Sequence, residues 1–142
     1  MNVLAVIPAR YASVRLPGKP LVSICGQPMI QHVYERVRRA ARVDRAVVAT
    51  DDNRILEAVR GFGGEAVMTR SDHRSGSERV AEVAAQIPAD IYVNVQGDEP
   101  LIEPAAVDAI VEAMTADDDP PVQLGTLCVP IQSPVNPAES RQ

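Results

Sequence analysis

The sequence has no tryptophan, a single phenylalanine and three tyrosines, so a core must be built from Val, Ile, Leu and Ala. It has two cysteines, Cys25 and Cys128, far apart and without metal-ligand spacing. That excludes a disulfide scaffold and a thiolate metal centre, and both are expected as reduced, partly buried thiols. The two histidines, His32 and His73, are also isolated, and His32 is expected on a helix face. No apolar run approaches the roughly 18 residues of a membrane span. The opening "MNVLAVIPAR" lacks a basic start, and Pro8 interrupts its apolar run too early for a signal peptide, so a cytoplasmic location is expected. There is no internal repeat and no low-complexity tract. Basic surplus is missing too. The formal charge is −5, which argues against non-specific binding to nucleic acid. Lysine is nearly absent: Lys19 is the only one.

What is present suits one domain. The 142 residues are 46% hydrophobic, enough for a core of ordinary size. "VLAVI" (3–7) is wholly apolar and reads as a strand buried on both faces. From Met29 to Ala41 the apolar residues Met29, Ile30, Val33, Val37 and Ala40 fall at helical spacing, opposite a charged face. "RAVVAT" (45–50) is a second strand. A helix over 51–62 follows, with Asp51 or Asp52 as N-cap and Gly61 to Gly64 as its stop. "EAVMT" (65–69) is a third strand, and 75–87 is a helix opening on serines, with Ser77 as its cap and Glu78 in the first turn. "DIYVNVQ" (90–96) is a fourth strand, 103–114 a helix with Pro104 in its first turn, and 122–131 a fifth strand. Strand and helix alternate throughout, which predicts an α/β layered fold with a mostly parallel sheet and helices on both faces. Ligands of such folds bind at the C-terminal ends of the strands.

Cations gather in one place. "IPARYASVRLPGKPL" (7–21) follows the first strand and carries Arg10, Arg15 and Lys19, with Ser13 and Gly18 keeping the backbone accessible. It matches neither GxxxxGK[ST] nor GxGxxG. Guanidiniums, an ammonium and open backbone amides at the ligand edge of a sheet suit a polyphosphate. "VNVQGDEP" (93–100) ends the fourth strand at the same edge. Gly97 permits a tight turn, and Asp98 and Glu99 face the mouth of the sheet. Asp98 is the candidate magnesium ligand, since that ion takes one or two carboxylates plus phosphate oxygens and water.

"IPARYASVRLPGKPL" closely resembles the opening of the sugar-acid cytidylyltransferases, above all the 3-deoxy-D-manno-octulosonate (Kdo) cytidylyltransferase family. "GQPMIQHVYERV" (26–37), "VVATDD" (47–52), "GGEAVMTRSDHRSGSERVAEV" (63–83) and "VNVQGDEPLI" (93–102) are similar to that family in the same order. The resemblance implies a nucleotide-diphospho-sugar transferase-like, Rossmann-like domain over 1–131, a short tail over 132–142, and a homodimer. It implies that Arg10, Ser13, Arg15 and Lys19 hold the phosphates of CTP, that Arg70 and Ser77 contact cytosine or ribose, that Gln96 points toward the sugar acid, and that Asp98 binds Mg2+. The implied reaction joins CMP from CTP to Kdo, releasing pyrophosphate, for lipopolysaccharide assembly. The family's chain is longer. Its second half is expected to bring another magnesium carboxylate, most sugar-acid contacts and the dimerisation segment, so this chain is expected to be weakly active or inactive alone. Two other readings stay open: a cytidylyltransferase for another acidic sugar such as sialic acid, and a non-catalytic nucleotide-binding module.

Overall fold

The structure is a computed structural model that describes residues 1–117 and 123–126. Four parallel strands form the sheet: β1 (Val3–Pro8), β4 (Arg45–Thr50), β5 (Ala66–Met68) and β6 (Ile91–Asn94). Their order across the sheet is β5-β4-β1-β6. The chain builds outward from β1 in one direction, then returns to add β6 on the other side. β1 and β6 therefore flank a switch point, where the loops after them diverge and leave a crevice.

β1 explains the layering. Its side chains alternate faces. Val3, Ala5 and Ile7 pack with α1 (Met29–Arg38), α2 (Asn53–Gly61) and α4 (Pro104–Thr115), while Leu4 and Val6 pack with α3 (Gly76–Gln86). Both faces are covered, as predicted, and all five residues are almost fully buried.

Element ends differ from the sequence expectation in informative ways. α1 stops at Arg38, short of Ala41, because the next residues tighten: the amide of Arg39 donates to Arg36 O and that of Ala40 to Val37 O. Asp52, and not Asp51, caps α2, its carboxylate accepting the Arg54 amide at 2.8 Å. The glycine stop of α2 is a Schellman turn: Gly63, at φ 83°, donates to Arg60 O, and Gly64 donates to Val59 O. Ser75, and not Ser77, caps α3, because its hydroxyl reaches the Glu78 amide at 3.2 Å while Ser77 already lies inside the helix.

An element the sequence analysis did not foresee is a small hairpin of β2 (Ser23–Ile24) and β3 (Gln27–Pro28), preceded by a 3-10 turn at Lys19–Leu21. Cys25 and Gly26 form its two-residue turn, both at positive φ, and Cys25 is exposed, contrary to the expectation of partial burial. His32 sits on α1 and its Nε2–H donates to Ile24 O at 2.6 Å, pinning the hairpin to the helix. Of the expected fifth strand, residues 123–126 carry no strand pairing and the rest lies outside the described residues, as do Cys128 and the 132–142 tail. No helix among the described residues is long and apolar enough to cross a membrane.

Candidate functional site

The loop after β1 is folded by its own turn residues. Gly18, at φ 72°, donates its amide to Tyr11 O at 2.8 Å and closes the segment between them. The Tyr11 ring lies against Gly18, where any Cβ would meet it at 2.9 Å. On its ring face Tyr11 carries the Arg54 guanidinium, 3.3 Å from the centroid, and Arg54 is itself held by Asp52 at 2.8 Å. That neighbour holds the Asp52 carboxyl below the usual carboxylate range. The buried Pro20 then anchors the 3-10 turn and leaves Lys19 at the surface beside the sheet edge.

The turn after β6 comes to meet it. The Glu99 amide donates to Gln96 O, closing a turn with Gly97 and Asp98 at its centre. Gly97 has a further reason to be glycine: a Cβ there would stand 2.7 Å from the Pro8 carbonyl oxygen. This close approach sets Asp98 against the first loop, with Lys19 Nζ 3.4 Å from Asp98 Oδ2. Their side chains are 45% and 55% exposed, so the pair adds little stability and its partners are open to exchange for a ligand.

Between the two loops lies a cavity of about 380 Å³. Arg10, Ser13, Arg15, Lys19, Gln96 and Asp98, all singled out from the sequence, line it together. Arg70 and Ser77 do not. Arg70 is exposed and paired with Asp72, and Ser77 is exposed on α3. Glu99 is not part of the lining either.

A third wall was not foreseen. His73, Arg74, Ser75 and Gly76, from the β5–α3 loop and the start of α3, line the cavity, with Arg79 one turn further on. The first amides of a helix have no partner within it and favour negative charge. Arg79 is 4% exposed, bonded to Thr69 Oγ1 and to Arg70 O at 3.1 Å, with Asp51 at 3.8 Å. Its signal was in the sequence: it sits one turn before Val83 on the buried stripe, where a cation needs a purpose.

The electrostatics are lopsided. Five cationic side chains (Arg10, Arg15, Lys19, Arg74, Arg79) face one carboxylate, Asp98, in a protein whose formal charge is −5. Among the described residues, Arg10, Arg15 and Arg74 have no carboxylate within salt-bridge distance. No group of three or more His, Cys, Asp or Glu side chains placed to hold a metal ion occurs among the described residues either. A metal here would rest on Asp98 and on oxygens of its ligand, a donor set of hard oxygens that suits magnesium. The lining is chemically suited to a polyanion, with one carboxylate, Asp98, at its edge.

The chain is 58% identical over 127 residues to 3-deoxy-manno-octulosonate cytidylyltransferase of Geobacter sulfurreducens, covering 89% of this chain and 50% of that protein. With the enzyme of the same name from Escherichia coli it shares 55% over 127 residues, 89% of this chain and 51% of the other. Its fold is similar to that of a CMP:2-keto-3-deoxy-manno-octonic acid synthetase complexed with CTP, at TM-score 0.81 and 55% identity, over 82% of this chain and 48% of that one. The chain thus spans about half the length of the relatives it matches. Residues 4–141 match the Cytidylyltransferase family model, which takes in both cavity loops and all four strands, and the chain belongs to that family.

Proposed function

We propose that the chain carries the nucleotide site of a 3-deoxy-manno-octulosonate cytidylyltransferase, which transfers CMP from CTP to Kdo. One observation carries this reading: the lone lysine of the cation-rich first loop meets the lone carboxylate of the cavity at the β1/β6 switch point. Relatives of the same activity at 55% and 58% identity support it.

In the reaction the anomeric hydroxyl oxygen of Kdo attacks the α-phosphorus of CTP. The P–O bond to the β-phosphate breaks, pyrophosphate leaves with the electron pair, and the hydroxyl proton passes to solvent. Such transfers need alignment and charge stabilisation more than covalent work by the protein. Arg10, Arg15 and Lys19 neutralise the triphosphate, with Ser13 and the first amides of α3 as donors. Gln96 faces the sugar acid. Asp98 would hold magnesium, which would supply charge to screen the phosphates and to favour ionisation of the attacking hydroxyl. Arg70 and Ser77, outside the cavity lining, have no part in this scheme; Arg74 and Gly76 take the wall assigned to them.

Asp98→Ala tests the metal role. It should abolish the strengthening of CTP binding by magnesium, read by calorimetry, while leaving the ligand-free melting temperature within about 2 °C, as expected for an exposed pair. Unchanged magnesium dependence would remove Asp98 from the site.

A further inference from the structure

The β5–α3 loop is held in place from one side by α3. Glu82 Oε2 accepts the Arg70 amide at 3.0 Å and also the Nε2–H of His73. One turn earlier, Glu78 Oε2 accepts the Arg74 amide at 2.6 Å while its own amide donates to the Ser75 cap. Glu82 is removed from the cavity, and His73, Arg74, Ser75 and Gly76 line it. The His73 side chain is 13% exposed and that of Glu82 is 20% exposed, so water competes weakly for this bond. The hydrogen bond from His73 holds the Glu82 carboxyl below its ordinary range.

We propose that Glu82, acting through His73, is a positioning residue that fixes the β5–α3 loop as the nucleotide-facing wall of the cavity. The inference rests on the nucleotide reading above. Three bonds accepted by two carboxylates one turn apart, with the bond from the Glu78 amide to Ser75, define the path of residues 70–75. Without them, Arg74 and the start of α3 lose their fixed relation to the first loop, and alignment is the commodity such a site supplies. Both N–H groups converge on the same Glu82 oxygen, so one carbonyl acceptor can replace the carboxylate.

The test compares CTP affinity, by calorimetry with magnesium, across the wild-type chain and its Glu82→Ala, Glu82→Gln, His73→Ala and Glu82→Ala/His73→Ala variants. Ligand-free melting is followed alongside. Glu82→Ala and His73→Ala should each weaken CTP binding about tenfold, the order seen when a group orienting a ligand-contacting residue is lost. The double variant should be no worse than either single, since the two act as one unit. Glu82→Gln should bind within about threefold of wild type, the single retained acceptor serving both bonds. Val83→Ala, which empties a buried position on the same helix, should lower the melting temperature and leave the affinity intact. Wild-type affinity in Glu82→Ala, additive losses in the double variant, or a Glu82→Gln defect equal to that of Glu82→Ala would each overturn the proposal. A folded wild-type chain that binds no CTP would instead overturn the nucleotide reading, and the positioning role with it.

Discussion

Gly97 shows how much a single hydrogen atom can decide. Its Cα faces the Pro8 carbonyl so closely that Gly97→Ala must push the β6 turn away from β1. We expect a loss of about 1–3 kcal/mol in urea unfolding, the usual cost of forcing extra volume into a packed site, and weaker CTP binding because Asp98 moves with the turn. Asp52 works through charge. It caps α2 and steadies Arg54 beneath the first loop, and Asp52→Ala should cost about 1 kcal/mol. Its folded-state pKa is lowered, so its contribution is full above the unfolded value of about 3.9 and disappears as pH falls through the lower folded value. The stability gap between wild type and Asp52→Asn should accordingly close in acid below about pH 4 and stay open at neutral pH. The sequence was readable at this scale where spacing had a physical meaning. Asp52 was one of two named candidates, and Asp98 follows from its place just past a strand. Ser75 was missed, although Ser75 and Glu78 have the three-residue spacing of a capping box while Ser77 would need a partner at Val80.

Elements were legible where their periodicity ran long enough. β1 and β4 are uninterrupted apolar runs, and α1 shows its buried stripe of Ile30, Val33 and Val37 plainly. The hairpin at 23–28 was not legible. Two-residue strands have no period, and its turn places Cys25 where Asn or Asp would announce it. Cys25 at φ 53° is there at a cost, since a side chain other than Asn, Asp or Gly is disfavoured in that conformation. Cys25→Asn should raise stability by about 1 kcal/mol or less, measured by chemical unfolding. The third wall of the cavity escaped notice for a different reason. His73, Arg74 and Arg79 come from a loop and a helix face whose relation to the first loop exists only once β5 and α3 are packed, and the sequence around 70–77 offers several polar residues of equal appeal.

At the scale of the molecule, strand order does the assembling. Because β1 lies between β4 and β6, the segments at 9–19 and 95–99, some 80 residues apart in the chain, face each other across one crevice. Net charge conceals the result: an acidic protein gathers five cationic side chains, three of them without a carboxylate partner among the described residues, where a polyanion would enter. Binding that rests on this cluster should weaken steeply as ionic strength rises. The most direct test is calorimetric titration of the chain with CTP in the presence of magnesium, with UTP beside it and the Lys19→Ala variant as control. Saturable one-to-one binding of CTP, stronger than UTP and markedly weakened in Lys19→Ala, is the predicted result. A chain that melts cooperatively, and is therefore folded, but takes up CTP no better than UTP or not at all would contradict the assignment of the cavity to a cytidine triphosphate.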